Sequence, residues 1–104
     1  MLDSIKSLLG FGPEVDYSGM VKEGAIILDV RSKGEYANGH VKGSINISLD
    51  TLGANLGKFN KTKPIITCCA SGNRSGLAKN ILLANGFKEV YNGGAWNSLQ
   101  NKIN

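Results

Sequence analysis

The sequence has few of the residues that staple, anchor or metallate a chain. Of its 104 residues, two are cysteine, two are proline, one is histidine and one is tryptophan. The cysteines are neighbours, Cys68 and Cys69. Adjacent Cα atoms lie about 3.8 Å apart, short of the usual disulfide span of roughly 4.4–6.8 Å, so the pair makes a poor bridge. A secreted, disulfide-built scaffold is therefore excluded, and two free thiols point to a reducing compartment, with the cytoplasm as the expected location. His40 has no partner at zinc-ligand spacing, so no metal is expected, and nothing calls for an organic cofactor. The longest apolar run is Ala25-Ile26-Ile27-Leu28, far short of the ~18 residues of a membrane span. Arginine is scarce too: ten scattered lysines and only Arg31 and Arg74 give the net charge of +4. Without a basic block interleaved with aromatics, nucleic-acid binding is not expected. The surplus reads as solubility with a mild attraction for small anions.

What is present describes one ordinary globular domain, with 41% hydrophobic and 19% charged residues, long enough for a modest core. Residues 1–13 read as an N-terminal amphipathic segment, with Leu2, Ile5, Leu8 and Leu9 on one helical face and Gly10-Phe11-Gly12-Pro13 stopping the pattern. A terminal helix packed on the domain is the favoured reading, and a partner-binding or interfacial helix the alternative. With Asp3 ahead of any lysine, it does not read as a signal peptide. Residues 14–104 form the domain proper.

Asp16 is placed to cap a short helix through Met20 and Val21 that stops at Gly24. The run from Ala25 to Arg31 turns from apolar to charged, as a buried parallel strand does where its carboxyl end reaches solvent. Ser32 and Glu35 form a capping-box pattern for a short helix closed by Asn38-Gly39. Ile45 and Ile47 alternate with polar residues, predicting a half-buried strand, and Asp50-Thr51 is expected to cap a helix holding Leu52 and Leu56. Lys58 to Pro64 reads as a polar connection. A strand from Ile65 leads into a loop of small residues, then a helix with Leu77, Ala78, Ile81 and Leu82 that ends at Asn85-Gly86. Phe87 to Tyr91 is expected to be a last strand, Asn92-Gly93-Gly94 a turn, and the stretch through Trp96 and Leu99 a final helix. Strands alternating with helices predict an α/β fold of three layers, a mostly parallel sheet of four or five strands with helices on both faces.

The chemistry concentrates where that central strand ends, at Cys68-Cys69-Ala70-Ser71-Gly72-Asn73-Arg74-Ser75. The first turn of a helix leaves N–H groups unpaired, and these, with the helix dipole, favour negative charge in front of them. Successive N–H groups of a loop of small residues can fold into a concave nest with the same effect. A thiol facing such donors ionises readily: free cysteine titrates near 8.5, and helix N-termini and cations bring it to roughly 3.5–7.5. Arg74 adds a planar fork of donors. With Gly72, Arg74 and a helix start beside it, Cys69 is the candidate nucleophile, and alternation along a strand sends Cys68 to the opposite face, where core packing is favoured. Arg74 can brace the loop, through a carboxylate such as Asp29 or Glu35, or bind the substrate directly. Asp29 and Arg31, at a strand's carboxyl end, are supporting candidates, with a structural role favoured. His40, Gly93, Gly94 and Trp96 read as turn and packing residues.

Leu28-Asp29-Val30-Arg31, Glu35-Tyr36, Gly39 through Ile47, Cys69 through Ser75, Gly86-Phe87 and Gly93-Gly94-Ala95-Trp96, in that order, resemble the single-domain rhodanese-like sulfurtransferases over residues 14–99. The resemblance implies that Cys69 takes a sulfane sulfur from a donor such as thiosulfate, holds it as a persulfide and passes it to cyanide or a thiol, a protein thiol among them. It further implies that N–H groups of Ala70, Ser71, Gly72, Asn73 and Arg74 surround that sulfur. Many relatives carry an arginine directly after the cysteine, where this chain has Ala70, and proline where it has Ser48. Two other functions stay open. Counted from Cys68, the gap to Arg74 is that of cysteine-dependent phosphatases and arsenate reductases of related fold. A non-catalytic binding module is the third reading, although a docking surface needs neither Cys69 nor Arg74.

Overall fold

The computed structural model describes residues 15–103, so the amphipathic 1–13 segment lies outside the described residues. Four strands, β1 (Ile26–Asp29), β2 (Ile45–Asn46), β3 (Ile65–Cys69) and β4 (Val90–Ala95), form one sheet in the order β2-β1-β3-β4. All three pairings are parallel. The helices are α1 (Tyr17–Lys22), α2 (Lys33–Ala37), α3 (Leu49–Leu52, continued by a 3-10 stretch, Gly53–Lys58), α4 (Asn73–Ala84) and α5 (Trp96–Ile103).

The strand-residue period of two sorts the core into two layers. Leu28, Ile65 and Cys69 face Leu52 of α3 and Ala78 and Leu82 of α4, with Phe87 and Val90 completing the layer. Ile27, Ile66 and Cys68 face Leu99 of α5, with Tyr17, Met20 and Val21 of α1 against them. β3 is buried along its whole length, which is why it reads as a continuous apolar run in the sequence.

Strand order reverses between β1 and β3: β2 adds to one side of β1, while β3 and β4 extend the other. In open parallel sheets the crevice at the carboxyl ends of the strands flanking such a reversal is where ligands bind. Cys69 closes β3 at that point.

Several local expectations need correction. The end of β1 does not reach solvent: Asp29 and Arg31 are 0% and 4% exposed. β2 is two residues long and Ile45 is 44% exposed, because the edge strand is held less by its apolar alternation than by Asn46, whose amide donates to the carbonyls of Asp29 and Arg31 at 3.0 and 2.9 Å. Ser48, not Asp50 or Thr51, is the N-cap of α3. Leu77 is 56% exposed and does not join the core stripe of α4. The last strand begins at Val90 rather than Phe87 and runs through the Asn92-Gly93-Gly94 stretch that reads as a turn. Its pairing with β3 shifts register between Thr67 and Cys69.

Gly93 is the tightest backbone approach in that strand. A Cβ there would lie 2.8 Å from the Thr67 carbonyl oxygen, 2.9 Å from Ile66 Cγ2 and 3.0 Å from Leu99 Cδ2. Gly93→Ala is expected to lose about 1–3 kcal/mol of stability through this overpacking. Gly34→Ala, at an open position of α2, is expected to gain up to about 1 kcal/mol from helix propensity. Urea denaturation of the two variants beside the wild-type chain checks the contrast.

Candidate active site

The loop Ala70-Ser71-Gly72 carries the chain from β3 into α4. Gly72 occupies the N-cap of α4 with φ 102, a left-handed conformation that a Cβ disfavours. That turn aims the Gly72 N–H back at the strand it has just left, where it donates to Cys69 Sγ at 3.0 Å. One helical turn on, the Ser75 N–H donates to the same sulfur at 3.3 Å, and Ser75 Oγ lies 3.3 Å from it. Cys69 is fully buried beneath the loop.

Burial pushes the Cys69 thiol up, but the Ser75 hydroxyl and N–H and the N–H groups of Gly72 and Ser71 outweigh it and hold the thiol below the ordinary cysteine range. Hydrogen bonds to the charged form are the cause. Cys68 behaves oppositely. Buried in the α1/α5 layer and near the Asp29 charge, its thiol is pushed up to about 12.

Ser75 is itself fixed from three sides. Its carbonyl accepts from the Thr67 hydroxyl at 2.9 Å. Its own hydroxyl donates to Asn92 Oδ1 at 2.6 Å. Asn92 Oδ1 also accepts from the Gly94 N–H at 3.0 Å, while its Nδ2 donates to the Gly72 carbonyl at 3.1 Å. Sequence reasoning missed Asn92 and Thr67. Asn-Gly-Gly is a strong turn signal, and a threonine inside a strand carries no mark of its partners.

Arg74 hydrogen-bonds to Glu35 rather than to Cys69. Its guanidinium pairs with both carboxylate oxygens of Glu35 at 2.7 and 2.9 Å, one of the partners anticipated from the sequence. Glu35 simultaneously completes the capping box of α2 with Ser32. The pair therefore ties the first turn of α4 to α2, and it takes up the single positive charge of the 70–75 loop. Asp29 and Arg31 form a second, buried pair at 2.7 Å. Arg31 also donates to the Gly39 carbonyl at 2.6 Å and lies over the Trp96 ring at 4.9 Å. This arrangement binds the end of β1 to the α2–β2 connection and to α5. Neither residue hydrogen-bonds to Cys69, whose partners are Gly72 and Ser75. His40 stacks on Tyr36 with ring centroids 3.8 Å apart. Among the described residues no group of three or more His, Cys, Asp and Glu side chains could hold a metal ion. No helix among them is long and apolar enough to cross a membrane.

The fold is a parallel α/β domain with a cysteine at the carboxyl end of a strand, facing the N-terminus of the next helix. The rhodanese-like domain model matches residues 15–101. The chain is 33% identical over 79 residues to the thiosulfate sulfurtransferase GlpE of Stutzerimonas stutzeri, covering 76% of this chain and 72% of that protein. It is 37% identical over 68 residues to the uncharacterized protein YqhL of Bacillus subtilis, covering 65% of this chain and spanning about half, 54%, of that relative. Among solved structures it resembles a rhodanese with anions from E. coli, with TM-score 0.68 and 32% identity over 71% of this chain and 89% of that one. A rhodanese-like domain protein from Staphylococcus aureus matches 94% of this chain and 85% of its own, with TM-score 0.66 and 30% identity. The chain belongs to the rhodanese-like domain family.

The Arg74–Glu35 pair has a pH signature. Arg74, first, and the Ser32 N–H hold the Glu35 carboxyl down at about 2, against an ordinary 4.5. A depressed carboxyl contributes stability that is complete above its unfolded-state value and is lost as pH falls through the folded one. The wild-type chain is therefore expected to lose stability between about pH 4.5 and pH 2 more steeply than Glu35→Gln, with the two curves converging at the acid end. Denaturant midpoints measured across that range check it.

Proposed function

We propose that the domain is a sulfurtransferase that carries a sulfane sulfur as a Cys69 persulfide. The observation that carries this reading is the convergence of the Gly72 and Ser75 N–H groups on Cys69 Sγ at 3.0 and 3.3 Å. Such donors stabilise a thiolate, which is the nucleophilic form of the residue. With thiosulfate as donor, the thiolate attacks the outer sulfur, the S–S bond of thiosulfate breaks, and sulfite leaves with the electron pair. The product is Cys69–S–S⁻. An acceptor such as cyanide or a thiolate then attacks the terminal sulfur, and Cys69 returns as thiolate. No proton has to move in either step, so no separate general base is needed.

The family relationship supports sulfur transfer, and one relative is named a thiosulfate sulfurtransferase. A cavity of about 330 Å³ is lined by Val30, Ser32, Ser48, Leu49, Asp50 and Arg74, the last of which belongs to the loop that follows Cys69. A reducing compartment such as the cytoplasm would keep both thiols free. In this reading Ala70, Ser71, Gly72, Asn73, Arg74 and Ser75 form the active-site loop, within which Arg74 acts as a brace through Glu35. Asp29 and Arg31 support it from behind. The phosphatase alternative would need Cys68 as the nucleophile, and that thiol packs in the opposite layer and is pushed up to about 12.

Incubation with thiosulfate, followed by desalting and intact-mass measurement, is expected to add one sulfur atom to the wild-type chain and to Cys68→Ala, and none to Cys69→Ala. Transfer to cyanide should fall to background in Cys69→Ala and remain within a few-fold of wild type in Cys68→Ala. If the wild-type chain gains no sulfur from thiosulfate or from a small persulfide, the transfer reading is wrong. If Cys68→Ala is the variant that loses the sulfur, the nucleophile is misassigned.

A further inference from the structure

The hydrogen bonds around Ser75 contain one proton too few for the acceptors that face it. The hydroxyl has a single hydrogen and two candidate acceptors, Asn92 Oδ1 at 2.6 Å and Cys69 Sγ at 3.3 Å. The amide of Asn92 cannot be turned round to relieve this, because Gly94 N–H fixes Oδ1 as an acceptor and the Gly72 carbonyl fixes Nδ2 as a donor. We propose that Asn92 is a positioning residue that competes with the Cys69 sulfur for the Ser75 proton, so that rotation of one O–H bond follows each change of charge on that sulfur.

Both charge states are then fully bonded. As a thiol, Cys69 donates S–H to a lone pair of Ser75 Oγ, and the Ser75 hydroxyl donates to Asn92. As a thiolate, Cys69 draws the Ser75 hydrogen to itself alongside the two N–H groups, and Asn92 Oδ1 keeps the Gly94 N–H. Heavy atoms stay where they are. The relevance to catalysis rests on the sulfur-transfer reading. When persulfide formation moves the negative charge from Sγ to the outer sulfur, the hydroxyl swings back to Asn92, and when the outer sulfur departs it returns. Bonds to the reacting sulfur thus form and release without deforming the loop.

The charges around this group are accounted for. From β3 the titratable neighbour is Cys68. From α4 it is Arg74, whose charge acts on Cys69 and is paired with Glu35 of α2. β4 places Ala95 opposite Cys69, and Leu28 of β1 and Val30 just beyond it pack in the same layer. Asn92 has two routes to Cys69, the Ser75 hydroxyl and the Gly72 carbonyl, and the Ser75→Ala background separates them.

The test is the pH dependence of Cys69 alkylation by iodoacetamide, read by mass at that residue, which requires no sulfur transfer. Asn92→Leu removes the competing acceptor and leaves the thiolate its Ser75 proton, so the profile should move to lower pH and the rate below the transition should rise about threefold. Asn92 is exposed, and the Gly72 carbonyl keeps its helix bond from the Gly76 N–H, so the loop retains an anchor. Asn92→Asp strengthens the competing acceptor and adds a negative charge, and should move the profile to higher pH. In a Ser75→Ala background, Asn92→Leu should leave it unmoved. The proposal is overturned if the Leu profile superimposes on wild type, if Leu and Asp move it the same way, or if the Leu shift survives without the Ser75 hydroxyl. Should Asn92→Leu fail to fold, Asn92→Asp read with and without Ser75→Ala decides: an upward shift that shrinks when the Ser75 hydroxyl is removed supports the competition, and an unmoved profile or a shift of equal size in both backgrounds overturns it. Sulfur uptake measured on the same wild-type sample keeps the two ideas apart, since a chain that takes no sulfur yet shows the opposed shifts refutes the transfer reading alone.

Discussion

The hydrogen bond from the Gly72 N–H to Cys69 Sγ, 3.0 Å long, is the contact on which the carboxyl end of the sheet depends. It closes the three-residue loop between β3 and α4, and the acceptor that closes it is the sulfur itself. The folding of the loop and the stabilisation of a thiolate are therefore one event. An N–H placed at a helix N-terminus lacks a carbonyl partner within the helix. Here Gly72 and Ser75 find theirs in a side chain that improves as an acceptor once it is charged. The left-handed turn at Gly72 supplies the geometry, and the small side chains of the loop leave its N–H groups room to converge.

Around that contact the chain distributes its charges away from the sulfur. Arg74 and Arg31 are each held by a carboxylate, one partly exposed and one buried. The first joins α4 to α2, the second joins β1 to the segment before β2 and, through Trp96, to α5. A half-exposed pair adds little net stability, so its significance is geometric: it fixes the direction in which α4 leaves the loop. The buried pair has the larger desolvation to overcome, and it does so by adding a backbone carbonyl and an aromatic face to the carboxylate. The hydrogen bonds to Cys69 come from main-chain donors and one hydroxyl.

How much of this was legible in the sequence follows from how local each feature is. The β3–loop–α4 unit shows plainly, because an apolar run, small residues and a helical stripe are neighbours in the chain. The capping box at Ser32 and Glu35 and the Asp16 cap show for the same reason, as does the divergence of Cys68 from Cys69. Asn92 did not show. Asn92-Gly93-Gly94 carries the dipeptide signals of a turn, yet β3 forces it into a strand: Gly93 is needed because Thr67, Ile66 and Leu99 leave no space for a Cβ, a requirement set by residues distant in sequence. The burial of Asp29 and Arg31 was invisible likewise, since charged residues at a strand end ordinarily mark its arrival at solvent. Ile45 failed for the opposite reason, because an edge strand of two residues is too short for alternation to bind it.

The adjacent thiols show how far one period of a strand can separate two identical groups. They share a backbone and full burial, so desolvation opposes ionisation in both. Cys68, on the α1/α5 face, receives no compensating donor and meets the Asp29 charge, and its thiol moves up to about 12. Cys69, on the α4 face, meets the exit of the loop and four donor groups, and its thiol moves the other way. Burial alone therefore predicts neither residue's chemistry. What separates them is the direction in which the strand pleat sends each side chain. A shift of β3 by one residue would exchange their environments, and the register that prevents it is held by Ile26, Ile27 and Leu28 against Ile65, Ile66 and Thr67, of which only Thr67, through its bond to the Ser75 carbonyl, touches the site.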